Sequence, residues 1–256
     1  EAICLHPGKF FSPALENSLC RIAKSIPAKQ IEEVVPGSFL HVATQLYESG
    51  GHTRVIERWI ECSPATEKHS LCITGADHFV PDRLRNALSN RNGEIYFLRD
   101  VSGNSEEIWE ASKLREIASG FERIILHHHM HDLLPILAFG TTQFRRPVFL
   151  YNHADYLFWV GVRISDLILD LSTAGQTQTN FRRARQSETL PILIEESSDF
   201  QTYSKEEIRK ELGIPNEFKV VLTVGKNEKF FPVEECFDFI RIIEKSLQQK
   251  NNLCFL

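Results

Sequence analysis

Residues 39–60, reading FLHVATQLYESGGHTRVIERWI, constrain this chain more than any other stretch. An apolar run from Phe39 to Ala43 is followed by the glycine turn Ser49-Gly50-Gly51-His52. Apolar residues then recur at helical spacing between Thr53 and Ile60. That is strand, glycine turn, helix. Paired glycines let the backbone turn sharply and approach a ligand closely, and the free N–H groups opening a helix can receive an anionic or hydroxyl-rich group. The same pair equally serves a plain tight turn. The turn reads G-G-H-T-R, so the dinucleotide fingerprint G-x-G-x-x-G is absent.

From Phe39 onward, apolar strands alternate with amphipathic segments. Strands are expected over 69–74, 94–98, 123–128, 147–151 and 167–171, and helices over 81–88, 105–118, 133–139 and 179–185. With the first strand this gives six, joined by helical connections. Short all-apolar strands are what a doubly wound parallel sheet buries on both faces, and such sheets bind ligands at the carboxyl ends of their strands. Ser105 is the expected cap of the 105–118 helix, with Glu106 and Glu107 in its first turn. Residues 1–38 read as an N-terminal appendage: a helix over 12–26 ended by Pro27, then a Pro36-Gly37 turn.

A polar stretch around Glu195-Glu196-Ser197-Ser198-Asp199 marks a boundary near residue 200. Residues 39–200 form one expected Rossmann-like domain, and 201–256 the first β-α unit of a second. That unit comprises a helix over 205–212 capped by Ser204 and stopped by Gly213, a strand over 219–224 and a helix over 233–248. The run Leu253-Cys254-Phe255-Leu256 has the pattern of a strand beginning. The natural protein is therefore expected to continue past Leu256.

With 256 residues, 42% of them hydrophobic, the chain can bury a large core. Its net charge of -5 and pI near 6.1 argue against a surface built mainly for nucleic acid. No apolar run approaches the ~18 residues of a membrane span, and the start EAICLHPGKFF has no charged-then-apolar leader pattern. The six cysteines are scattered, as expected of reduced, mostly buried thiols in a cytoplasmic protein.

Three strand-following loops carry candidate chemistry. In Leu126-His127-His128-His129-Met130-His131-Asp132, alternate histidines would share a face if the strand continued that far, which raises a metal-dependent hydrolase as one reading. The binuclear pattern H-x-H-x-D-H fails in both registers, so no metal is expected. A polar cleft, with Asp132 capping the next helix, is the other reading. In Asn152-His153-Ala154-Asp155, His153 and Asp155 have the spacing of a general base and its orienting partner if both face one crevice. The aromatics Tyr156, Phe158 and Trp159 fill a core or wall a sugar-sized cleft. Finally, Ser172-Thr173-Ala174-Gly175-Gln176-Thr177 reads as a hydroxyl-rich turn before Arg182-Arg183-Ala184-Arg185. Those arginines are either solvated helix charge or a phosphate contact.

Taken together, the first strand, Gly50-Gly51-His52-Thr53-Arg54, the helix, Asn152-His153-Ala154-Asp155, Leu212-Gly213-Ile214-Pro215 and Val221-Leu222-Thr223-Val224-Gly225-Lys226 with Lys229 resemble the glycosyltransferases of the GT-B fold. The likeness is to the large bacterial group that uses nucleotide-sugar donors, and it spans residues 39–256. It implies two Rossmann-like domains, the second only begun here, and metal-independent hexosyl-type transfer from a nucleotide-sugar co-substrate to an acceptor hydroxyl, with no other cofactor. By position it implies that Gly50, Gly51 and His52 line the cleft and that Lys226 and Lys229 meet the donor diphosphate. The family usually carries Arg where Lys226 stands, so this contact would be a point charge rather than a fork. His153, Asp155 and His52 are the catalytic candidates, and His129 and Asn152 join the glycines as substrate contacts. A non-catalytic partner subunit on the same scaffold and a nucleotide-sugar epimerase are the competing readings.

Overall fold

The computed structural model describes residues 8–27, 33–99, 106–192, 203–225, 230 and 238–256. Its contacts divide the chain into two units, Glu1–Ile194 and Glu195–Leu256.

The first unit is a seven-stranded parallel sheet among the described residues. Its strands are β1 (Val35–Ala43), β2 (Lys68–Ile73), β3 (Ile95–Phe97), β4 (Phe121–His127), β5 (Val148–Asn152), β6 (Leu167–Asp170) and β7 (Ser187–Thr189), in the order β3-β2-β1-β4-β5-β6-β7. The chain winds outward from β1 to β3, then returns to the other side of β1 with β4. The topological switch point therefore lies between the carboxyl ends of β1 and β4, where an open α/β sheet places its ligand crevice. The helices are α1 (Pro13–Ser25), α2 (Gly51–Cys62), α3 (Asp82–Ser89), α4 (Glu107–Ser119), α5 (Leu134–Phe139) and α6 (Thr173–Arg182). This is the α/β, Rossmann-like fold class expected from the alternation of apolar runs.

The period of two sorts each strand between two cores. Leu40 and Val42 of β1, with Ile124 and Leu126 of β4, pack on Leu114 and Ala118 of α4. Leu71 and Ile73 of β2, with Ala43, pack on Ile56 and Ile60 of α2 and on Leu84 and Leu88 of α3. All of these are essentially solvent-free. Burying each such side chain stabilises the unit by roughly 1.5–3 kcal/mol.

Four local expectations are revised. Pro36-Gly37 is not a turn before β1 but lies within it, at a register shift between Val35 and Phe39. Gly37 there takes a φ of +68° that glycine alone adopts without strain, and its N–H is received by the Glu122 carboxylate. The hydroxyl-rich segment after β6 is not a turn but helix α6, started by the Ser172 side chain accepting from the Gly175 N–H at 3.1 Å. A seventh strand, β7, pairs with β6. Helix α4 begins at Glu107 after Glu106, whose side chain makes no capping bond; Ser105 lies outside the described residues.

Helix α1 is docked on the first unit: Leu19 and Ile26 are buried against Leu134, Ile136 and Leu137. Two buried charged residues hold this corner. Arg115 of α4 donates to the carbonyls of Ile26 (2.6 Å), Ala23 (2.8 Å) and Leu137 (2.9 Å), completing the orphan carboxyl ends of two helices. Glu16 accepts the backbone N–H groups of Gly161, Val162 and Arg163.

In the second unit, α7 (Lys205–Glu211) starts with a reciprocal capping box between Ser204 and Glu207. Strand β8 (Lys219–Val221) pairs in parallel with β9 (Leu253–Phe255), and α8 (Phe239–Gln249) precedes β9. Residues 231–237, into which the 233–248 helix was expected to extend, lie outside the described residues. No described helix is long and apolar enough to cross a membrane.

Candidate functional site

At the carboxyl ends of β4 and β5 a cavity of about 200 Å³ is lined by His52, His128, His129, Asn152, His153 and a wall of Tyr151, Tyr156, Leu157 and Trp159. The switch point thus gathers residues from the glycine turn, the β4 loop and the β5 loop.

Gly50 takes a φ of +131° as the N-cap of α2 and carries no capping side chain. It starts the helix so that His52, two residues on, reaches across the mouth of β4, where the His52 Nε2–H donates to the His127 carbonyl. That bond leaves Nδ1 of His52 as the lone-pair nitrogen, buried and without a protein partner. Gly50 and Gly51, with Glu48, Arg54 and Arg83, line a separate hollow beside the cavity.

The β4 loop is tied down by Asp132. Its carboxylate accepts from Thr44 Oγ1 (2.7 Å), from Thr74 Oγ1 and from the Leu134 N–H (3.0 Å), joining the ends of β1, β2 and β4. Thr44 in turn accepts the His129 N–H at 2.8 Å. Asp132 is not the N-cap, which is Leu133, but from one residue earlier it receives the first N–H of α5 and also closes the sheet's upper edge.

The histidines of this loop do not converge. Strand β4 ends at His127, so the alternation that would have put His127, His129 and His131 on one face stops there. Both ring nitrogens of His127 face other histidines, His128 Nε2 donates to the Val160 carbonyl at 2.8 Å, and His131 is exposed. Among the described residues no three His, Cys, Asp or Glu side chains are grouped to hold a metal ion. The hydrolase reading therefore has no ligand set here.

His153, just past β5, places Nε2 3.2 Å from His127 Nδ1. Its ring lies 4.4 Å from that of His52, centroid to centroid. Burial, with the neighbouring rings of His52, His128 and His129, holds its pKa well below the ordinary histidine value. Burial likewise lowers His52 to about 4. Both rings are consequently neutral near pH 7, the state in which an imidazole nitrogen accepts a proton.

Asp155 does not join His153 in this cavity. Its carboxylate is turned to α6, where Gly175 leaves room: a Cβ there would come within 3.1 Å of Asp155 Oδ2. The partner on the far side of His153 is an imidazole, not a carboxylate. Asn152 borders the cavity but is committed inward, donating to Asp170 Oδ1 at 2.7 Å and to Thr179 Oγ1 at 3.3 Å and accepting from the Ala154 N–H. Lys226 and Lys229 lie outside the described residues.

The sequence offered Arg183 as solvated helix charge or a phosphate contact, and it is neither. It is fully buried, not solvated. Its guanidinium donates to the carbonyls of Leu157 (2.6 Å) and Asp155 (3.1 Å) and packs on Trp159, clamping the loop that carries His153. His41 and His69 were missed. Each is a lone histidine inside an apolar strand, and both are solvent-free.

No family model matches this chain, and no curated protein matches it. Among solved structures, the chain is similar to Anabaena Alr3699/HepE in complex with UDP and glucose. The two share 13% identity and a TM-score of 0.50, over 86% of this chain and 68% of that one. The likeness is one of fold: a Rossmann-like α/β architecture of the GT-B kind, consistent with the parallel sheet described above.

Proposed function

We propose that the protein is a glycosyltransferase that moves a sugar from a nucleotide-sugar donor to an acceptor hydroxyl without a metal ion. The observation that carries this reading is the histidine-lined cavity at the switch point of the sheet. There two neutral imidazoles, His52 and His153, stand at the carboxyl ends of the strands beside an aromatic wall. The related fold with UDP and glucose bound supports the choice of a nucleotide sugar over other ligands of such sheets.

In the proposed reaction His153 takes the proton of the acceptor hydroxyl as that oxygen bonds to the anomeric carbon. The bond from that carbon to the diphosphate oxygen breaks, and its electron pair leaves with the nucleotide. The exposed Tyr156 ring at the edge of the cavity suits the apolar face of a sugar ring. Lys226 and Lys229 are assigned to the departing diphosphate by the resemblance alone. Stabilising that charge is the larger share of catalysis in such transfers.

The test is nucleotide release from UDP-sugars by the full-length protein with a panel of hydroxyl acceptors, with and without chelator. Acceptor-dependent release that survives chelation is the expected result. Failure of every nucleotide sugar to bind or turn over sinks the reading and moves the weight to a non-catalytic partner.

A further inference from the structure

A line of four imidazoles crosses the sheet beneath the proposed site. His69 Nδ1 lies 3.0 Å from His41 Nε2, His41 Nδ1 lies 3.1 Å from His127 Nε2, and His127 Nδ1 lies 3.2 Å from His153 Nε2. Strand register makes the line. Phe39 pairs with His69 and Ala43 with His127, so His41 sits one same-face step beyond His69 and one short of His127. The diagonal runs from β2 through β1 and β4 to the loop after β5. Trp59 closes over His41 and Tyr151 stacks on His127, which keeps water from the middle of the line. At its far end His69 Nε2 is buried with no hydrogen-bond acceptor; the partly exposed Glu67 carboxylate lies 3.6 Å away, and Arg91, whose guanidinium is held by the Pro64 and Ser63 carbonyls, also acts on the ring.

A neutral imidazole has one N–H and one lone pair, so each contact forces the next and the whole line has one polarity. The Glu67 carboxylate selects it. A proton on His69 Nε2 is attracted by Glu67, whereas a lone pair there would face an anion. His69 Nδ1 then accepts from His41 Nε2–H, His41 Nδ1 from His127 Nε2–H, and His127 Nδ1 from His153 Nε2–H. His153 is left with its lone pair on Nδ1, the nitrogen not used by the line.

We propose that the line Glu67-His69-His41-His127-His153 is a proton relay that both fixes His153 Nδ1 as the base nitrogen and carries the abstracted proton across the sheet. Its role in turnover rests on the sugar-transfer reading; its polarity does not. In one stroke the acceptor's proton bonds to His153 Nδ1 and the His153 Nε2 proton passes to His127 Nδ1. The His127 Nε2 proton passes to His41 Nδ1, the His41 Nε2 proton to His69 Nδ1, and the His69 Nε2 proton to Glu67. Every ring stays neutral throughout, so no imidazolium is left in a site where burial penalises it. The reverse passage, a proton entering at Glu67 and leaving from His153 Nδ1 after product departs, restores the line. His41, His69 and His127 touch no substrate and are positioning residues.

The experiment is ¹H–¹⁵N correlation spectroscopy of the ¹⁵N-histidine-labelled protein near neutral pH. All four rings are expected as the neutral Nε2–H tautomer. Glu67→Lys offers a donor in place of the acceptor, and it is expected to reverse the line. His153 Nδ1 would then move from the pyridine-type to the pyrrole-type ¹⁵N range although four contacts separate it from the substitution. Glu67→Gln, milder at this partly exposed position, is expected to give both tautomers at His153. Mixed tautomers among the four rings of the unaltered protein, or a His153 signal indifferent to both variants, would overturn the relay. If the tautomers switch but no nucleotide sugar turns over in the unaltered protein, the relay stands and the sugar-transfer reading falls. Where transfer is measurable, Glu67→Lys should lower kcat about 10²-fold with KM little changed.

Discussion

The guanidinium carbon of Arg183 lies 4.3 Å from the ring centroid of Trp159, with the charge buried and directed at the carbonyls of the loop between them. A cation over an aromatic face, desolvated and hydrogen-bonded to carbonyls, holds the backbone that presents His153. Burial lowers its pKa to about 10, which still leaves it charged near pH 7. Replacing it with Ala leaves three carbonyls facing a void. The expected cost is about 3 kcal/mol in urea unfolding. Arg183→Lys should recover little of it, since one ammonium cannot reach what the fork reaches. A midpoint equal to that of the unaltered protein would show the clamp to be dispensable.

His153→Ala tests the site itself. The ring lies just past β5, largely buried and paired with His127 Nδ1, so its removal is expected to cost about 1–3 kcal/mol in urea unfolding while the fold persists. Sugar transfer should fall by about 10²–10⁴ in kcat. Rates within a factor of two of the unaltered enzyme would take His153 out of the mechanism.

Acid should unfold this protein for a reason visible in the sheet. His52 and His69 titrate near 4 in the fold because burial opposes their charge, against about 6.5 in an unfolded chain. His41 is also held well below the ordinary histidine value, by burial and the His69 ring, and His127 by burial and the rings of His41, His153, His52 and His128. Between about 4 and 6.5 the unfolded chain therefore binds more protons than the folded one. Stability is full above about pH 6.5 and declines as pH falls toward 4, by about 1.4 kcal/mol per pH unit for each histidine held neutral. Urea midpoints measured across that interval should fall steeply on acidification. His41→Phe, which removes one buried imidazole, should flatten the slope. A flat profile in the unaltered protein would mean that these rings are not held neutral.

The alternation of strands and helices, the glycine turn and its helix were legible because each depends on residues close in sequence. The histidine line was not. His41 is 28 residues from His69 and 86 from His127. Period-two alternation places each ring on a face of its own strand but says nothing of how far one strand slides along the next. Register alone makes the diagonal. Arg183 was misread for a similar reason, since its aromatic and carbonyl partners come from elements remote in sequence. Helix α6, TAGQTQTNFR, is poor in strong helix formers, and it forms on the Ser172 cap and the packing of Thr179 against Asn152 and Asp170. Pro36-Gly37 looked like a turn because nothing local announces a bulge inside a strand.

Besides its apolar contacts and the Arg115 clamp at its carboxyl end, helix α1, which precedes the first strand, is tied to the bend at 161–163 by one carboxylate. Glu16 is fully buried, with Oε1 accepting the N–H groups of Gly161 (2.9 Å) and Val162 (3.2 Å) and Oε2 that of Arg163 (2.7 Å). These N–H groups belong to a bend in which Gly161 has a φ of +120°, so no strand or helix is available to pair them. Glu16→Ala should therefore cost about 3 kcal/mol or more, since an unpaired buried donor loses its full hydration. Glu16→Gln is expected to lie between, because its amide nitrogen meets a donor where Oε2 met one. Two-residue steps in hydrogen-exchange protection should localise the loss to 161–163 and to α1. A loss spread evenly over the sheet would show that Glu16 supports the whole core rather than anchoring one helix to one bend.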